Sequence, residues 1–216
     1  RGRRGDRGVV QAPAVAEGKH PLILLSHGSG GNADQLGWLS SGLVAKGAIV
    51  LAVNHPGSTS GDSSARRSLD LAARASDLKA ALDFVLADPD FAPFIDQSRI
   101  GVVGFSLGGT TALGLAGVQF DGKVQAERCS TGPDAADCGF FLRGGADFAT
   151  APGFSVDTRD TRISHAVAVD PGFGGSATDG SVSAIAVPIH LVNLGDADRL
   201  AAVDVGPNGN NLAGRI

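Results

Sequence analysis

The chain has 216 residues, 43% of them hydrophobic and 19% charged, a composition that excludes a disordered segment and suits a globular protein. Its length fits one domain spanning residues 1–216. A net charge of −4 argues against nucleic acid as a partner, and no apolar run approaches the ~20 residues that a membrane span needs.

Residues 1–20 show little apolar periodicity and open on the basic run Arg1-Gly2-Arg3-Arg4-Gly5-Asp6-Arg7, which reads as a solvated N-terminal segment. No methionine occurs, even at position 1, and no signal sequence is present; both fit a processed or trimmed piece. The first apolar run, Leu22-Ile23-Leu24-Leu25, is short and unalternating, as a strand buried on both faces should be. It ends in Ser26-His27-Gly28-Ser29-Gly30-Gly31. Glycines there let the chain turn an N–H into a site, and the N–H of Ser29 is the natural donor. Glycines after a strand also cradle phosphates, but neither G-x-x-x-x-G-K-[ST] nor G-x-G-x-x-G is present. His27, at the strand end, reads as a structural hydrogen-bonding residue.

Residues 33–46 place Leu36, Leu39, Leu43 and Val44 on one helical face, stopped by Gly47. A second strand follows at Ala48–Val53, and His55 just beyond it reads as structural. Residues 65–87 predict one helix with Leu71, Ala75, Leu78, Leu82, Val85 and Leu86 facing the core, ended before Pro89. Ile100–Phe105 predicts a third buried strand, and residues 107–117 a helix of small residues. Between the two lies Gly104-Phe105-Ser106-Leu107-Gly108, which is G-x-S-x-G in a strand–turn–helix context. A serine on such a sharp turn is lifted clear of the sheet. Glycines two positions either side avoid collision, and the helix N-terminus offers free N–H groups to a developing negative charge. Ser106 is therefore the candidate nucleophile and the Leu107 N–H one oxyanion donor.

Residues 118–162 break the pattern: they carry both cysteines, Cys129 and Cys138, and predict an irregular, lid-like insert that shapes the site. Strands return at Ile163–Val169 and Val187–Leu194, with His165 and His190 read as core or strand-end residues. Strands alternating with helices predict right-handed crossovers and a parallel sheet covered on both sides. No spacing of Cys, His or acidic residues suggests a metal, and no organic cofactor is implied.

Four stretches together resemble the α/β-hydrolase superfamily, and within it platelet-activating-factor acetylhydrolase and the dienelactone-hydrolase-like families. They are Leu22–Gly31, Ala48–Ser58, Ile95–Gly109 and Ala166–Pro171. True dienelactone hydrolases use cysteine where this chain has Ser106. The resemblance implies an α/β-hydrolase fold and a serine hydrolase that cleaves carboxylic esters of short or truncated acyl groups, small-molecule or lipid-like, through an acyl-enzyme. A lipase, a polyester hydrolase or another acyl-transfer enzyme on the same scaffold stays open, as does a hydrolase-fold binding module without catalysis.

The triad acid has two strand-end candidates. The acetylhydrolase-like pattern places it at Asp170, in Val169-Asp170-Pro171, and the commoner G-x-x-D pattern places it at Asp198, in Gly195-Asp196-Ala197-Asp198. Asp196 is a third candidate. The triad histidine should follow the acid, yet none of the five histidines lies beyond Asp198. The expectation is that a C-terminal strand and helix are lacking from the sequence, and that the histidine comes from such a segment or from a second chain. A Cys129–Cys138 disulfide pinning the insert, together with exported relatives, implies a periplasmic or secreted protein; two free thiols in the cytosol are the alternative.

Overall fold

The computed structural model describes residues 15–133 and 135–216; the basic run at residues 1–7 lies outside them. The chain enters through β1 (His20–Ser26), then a 3₁₀ turn at Ala33–Leu36 capped by the Asn32 side chain, which accepts from the Gln35 N–H. There follow α1 (Gly37–Ala45), β2 (Ile49–Val53) and a small antiparallel hairpin of β3 (Ser58–Thr59) and β4 (Asp62–Ser63). Then come α2 (Ala65–Ser68), α3 (Leu71–Ala87), β5 (Ile95–Phe105) and α4 (Leu107–Ala116). The chain continues through α5 (Gly122–Thr131), α6 (Gly139–Arg143), β6 (Ile163–Val169), α7 (Asp179–Ser183) and β7 (Ile189–Val192).

Five strands make one sheet in the order β2-β1-β5-β6-β7, every neighbouring pair parallel. In register, Ser26 at the end of β1 lies opposite Val53 of β2 and Gly104 of β5. The connections β1–α1–β2 and β5–α4–β6 bring each strand back parallel, which requires a crossover that packs on the sheet. Helices lie on both faces of this parallel sheet, which makes the fold class α/β.

The two faces are covered unequally. Leu22, Leu24, Ile100, Val102 and Ala166 point to one face, where they meet Ala75, Leu78 and Leu82 of α3 and Ala112 and Leu115 of α4. Because side chains alternate along a strand, Leu25, Val103, Phe105, Val167 and Val169 point to the other face. There they line an apolar groove of about 510 Å³ beside Leu36 and Leu39. Among the described residues the 3₁₀ turn and α1 flank this groove, and α1 has no buried side chain; Trp38 is 74% exposed. The predicted full cover on both sides is corrected accordingly: the stripe Leu36, Leu39, Leu43 and Val44 leaves Val44 exposed rather than in the core. His165 and His190 are exposed, not core residues, because their strand positions face this open side.

Two further expectations change. The helix predicted over 65–87 is two helices, because the Asp70 side chain accepts from the Ala73 N–H at 2.9 Å and caps α3 afresh. The insert at 118–162 is irregular only in part: residues 144–162 hold no helix or strand, but the first half carries two helices. Asp121 accepts from the N–H groups of Lys123 and Val124 and starts α5, and α6 follows after a turn. Its helical periodicity is weak because α5 buries only Gly122, Gln125 and Cys129. Phe141, Phe148 and Phe154 of the insert meet Phe173 edge-on or tilted, with centroids 5.1 to 5.7 Å apart, so the insert is packed into the core rather than laid over it. Cys129 and Cys138 form a disulfide that joins α5 to the start of α6.

Candidate active site

Ser106 occupies the one-residue bend between β5 and α4, with φ 54° and ψ −121°. Positive φ in a residue with a Cβ is strained, and here the surroundings enforce it. A Cβ on Gly104 would lie 2.0 Å from the Gly108 carbonyl oxygen, and one on Gly108 would lie 2.0 Å from the Ser26 carbonyl oxygen. Any other residue at either position would push the helix off the sheet. The Ser106 N–H is tied to the Val169 carbonyl oxygen at 2.8 Å, which fixes the bend to β6.

The loop after β1 comes up against this bend: a Cβ on Gly28 would meet the Ser106 Cβ at 3.2 Å. Ser29, Ser106 and Leu107 line one cavity of about 230 Å³. Among the described residues neither the Ser29 N–H nor the Leu107 N–H has an acceptor. Leu107 is the first residue of α4, whose first N–H groups have no partner within the helix. Two unpaired N–H donors and a hydroxyl on one small cavity form an arrangement able to receive a carbonyl and hold the charge that develops on its oxygen. Among the described residues the remaining lining is largely apolar, including Phe140, Phe141 and Phe173, with one carboxylate, Asp137.

The acid candidates separate. Asp170 ends β6 with φ 45°, a second strained residue beside the site, and its Oδ1 accepts from the Leu194 N–H at 2.8 Å and from Asn193 Nδ2 at 3.0 Å. Asn193 in turn donates to the Val203 carbonyl and accepts from the Val205 N–H, so the carboxylate is held by the segment that follows β7. Asp198 is exposed and turned into its own loop, where Oδ1 accepts from the Asp196 N–H at 3.2 Å. Neither lines the Ser106 cavity.

No histidine lines it either. Instead, a polar network lies behind the Ser29 loop. His55 Nδ1 donates to Asp77 Oδ2 at 2.9 Å, and its Nε2 accepts from the Ser26 hydroxyl at 2.9 Å. This is a serine–histidine–aspartate chain, but both Ser26 and His55 are fully buried, so it braces the loop and meets no substrate. The His27 ring accepts from the His55 N–H and bonds the Gly28 carbonyl at 2.7 Å. Arg74 of α3, 2% exposed, donates to Ser58 Oγ at 2.7 Å, Thr111 Oγ1 at 3.0 Å, Ser26 Oγ at 3.2 Å and the His27 carbonyl. One guanidinium thus joins the end of β1, from which the Ser29 loop leaves, the hairpin, and α4, which begins at Leu107. Burial pushes the Arg74 pKa down to about 9, and Asp77 opposes that shift. Arg74 was visible in the sequence at three residues past Leu71 and four before Leu78, on the buried stripe of α3. A charge on an apolar stripe was the signal.

No family model matches the chain, and no curated protein matches it. Several solved structures are similar. A ferulic acid esterase from Streptomyces cinnamoneus shares 24% identity at a TM-score of 0.46, over 73% of this chain and 38% of that one. Acetyl xylan esterase 1 from a Thermoanaerobacterium species shares 22% identity at a TM-score of 0.38, over 72% of this chain and 41% of that one. Esterase PE8 shares 17% identity at a TM-score of 0.42, over 84% of this chain and 72% of that one. The chain therefore spans about two fifths of the length of the first two. Among the described residues no helix is long and apolar enough to cross a membrane.

Proposed function

We propose that the chain carries the nucleophile and the oxyanion site of a serine ester hydrolase. The observation that supports this reading is the strained Ser106 facing a cavity shared with two unpaired N–H groups, those of Ser29 and Leu107. In this reading the Ser106 Oγ attacks the ester carbonyl carbon and its proton passes to a histidine. The tetrahedral oxygen accepts from the Ser29 and Leu107 N–H groups, the alcohol leaves with a proton, and water then releases the acid from the acyl-enzyme. Asp170 is the preferred acid, since its carboxylate ends the strand beside the Ser106 bend and is already oriented by two donors. In this reading the base is not among the residues that line the cavity.

The cavity of about 230 Å³ suits short or truncated acyl esters better than long chains, in line with the acetylhydrolase-like resemblance. The disulfide supports an oxidising compartment, periplasmic or secreted. The lack of any histidine on the cavity favours a second reading, a hydrolase-fold binding module. A fluorophosphonate probe separates the two: intact-mass analysis of the full-length protein should show one phosphonyl group, absent from Ser106→Ala. An unlabelled full-length protein would remove the enzyme reading.

A further inference from the structure

The loop that carries the Ser29 N–H contains Gly28, Gly30 and Gly31, so its own sequence lets the peptide turn in many directions. Its direction is set from behind. The Gly30 N–H donates to the Ser58 carbonyl at 2.9 Å, and the Ser58 hydroxyl accepts from Arg74 Nη1 at 2.7 Å. On the other side of Ser29, the His27 carbonyl accepts from Arg74 Nη2. One guanidinium therefore grips the chain before Ser29 directly and, through Ser58, after it. A third arm runs to the other donor: Arg74 Nε donates to Thr111 Oγ1 at 3.0 Å, and the Thr111 hydroxyl donates to the Leu107 carbonyl at 2.9 Å. Arg74, Ser58 and Thr111 are each 2% exposed or less, so water does not compete for these bonds. Guanidinium N–H groups leave a rigid plane at fixed angles, which sets the spacing of everything they hold.

We propose that Arg74 is a positioning residue for the reaction at Ser106: it fixes the Ser29 and Leu107 N–H groups at the separation that receives the oxygen of the tetrahedral intermediate. The proposal rests on the ester-hydrolase reading. Arg74 does not line the cavity, so it acts only through the His27, Ser58 and Thr111 groups that it holds. Donors set before the reaction need no rearrangement as charge develops, and a displacement of about 1 Å can cost about a hundredfold in rate. Ground-state binding depends on the apolar walls Phe140, Phe141 and Phe173, which make none of these bonds, so the loss falls on kcat rather than on KM. Lysine would keep the charge but not the fork, because a single ammonium cannot meet acceptors at the end of β1, on the hairpin and on α4 in one plane.

The test uses the full-length protein. Fluorophosphonate labelling run to completion counts the competent Ser106 sites, and kcat per labelled site and KM are measured with p-nitrophenyl acetate. Arg74→Lys should lower kcat about 30-fold and Thr111→Val about tenfold, each with KM within about twofold of the starting value. Thr111→Ser, which keeps the hydroxyl, should restore kcat. The amide protons of Ser29 and Leu107 give a second readout. In the phosphonylated wild type both should move downfield as they donate to the phosphonyl oxygen, and Thr111→Val should reduce that movement. A variant that is only less stable loses labelled sites but keeps its kcat per site and its amide shifts. Unchanged kcat per site in both Arg74→Lys and Thr111→Val, or a Thr111→Ser protein as slow as Thr111→Val, overturns the proposal. Should Arg74→Lys not fold, the two Thr111 variants decide alone. A wild type that labels and turns over, with variants that keep its rate, removes the proposal alone. A wild type that does not label removes the hydrolase reading and the proposal with it.

Discussion

The two faces of the sheet differ in what the sequence placed on them and in what holds them. On the α3–α4 side, aliphatic side chains from three strands interlock with two helices, and Leu22, Leu78 and Leu82 are fully buried. On the other side the strands present equally apolar residues, Val103, Val167 and Val169, but among the described residues only the 3₁₀ turn and α1 stand beside them. The same alternating pattern thus gives a closed core on one side and an open groove on the other. What differs is the helix, since α3 carries apolar residues along 17 positions and α1 spans only nine. The closed side is also where a buried charge is tolerated, because Arg74 finds four oxygen acceptors there.

The most severe way to break this contrast is to remove the charge. Arg74→Met leaves Thr111 and the His27 carbonyl without their donor and Ser58 with only the Ser68 hydroxyl, and should lower stability by about 3–5 kcal/mol in a urea titration. A loss under about 1 kcal/mol would show that the guanidinium does not hold the closed side together. Next, Leu78→Ala on the closed side should lose about 2–5 kcal/mol, while Trp38→Ser beside the groove stays within about 0.5 kcal/mol. Similar losses for both would mean that the groove is covered in solution.

Acid should act on the closed side as well. Burial lowers the His55 pKa to about 4, with Arg74 and His27 adding to the shift and the Asp77 carboxylate opposing it. The unfolded histidine titrates near its ordinary value, about 6.5. Between those two pH values the unfolded chain binds a proton that the folded chain refuses, so stability is full above pH 6.5 and falls on acidification. The loss should reach about 3 kcal/mol by pH 4. Burial lowers His27 too, in the same direction. Carboxylates such as Asp96, held at about 2 chiefly by the Ser98 hydroxyl and then by Arg99, act only below this window. Unfolding midpoints that stay level between pH 7 and pH 5 would contradict the assignment.

Much of this molecule was legible in its sequence, and the exceptions share a cause. Each strand core, the Ser106 bend and the Ser29 loop announced themselves through local pattern: unalternating apolar runs, and glycines at fixed offsets. The open face was not legible, because Val167 and Val169 read the same whether or not a helix covers them. Arg74 carries a charge that an apolar stripe does not select, though its spacing puts it on the buried face of α3. The place of Asp137 on the cavity depends on a ring closed between two cysteines and on phenyl packing from distant segments, and no local pattern carries that. The strained backbone at Asp170 and Phe173 had no sequence signal either, since neither is a glycine.

The bend at Ser106 has an energetic corollary. Its backbone angles belong to a region that glycine occupies freely and serine does not. Ser106→Gly should therefore raise the thermal midpoint, by an amount equivalent to about 1 kcal/mol, while abolishing any acylation. The protein would be sturdier without its proposed nucleophile, since a side chain at that position costs the scaffold a strained backbone.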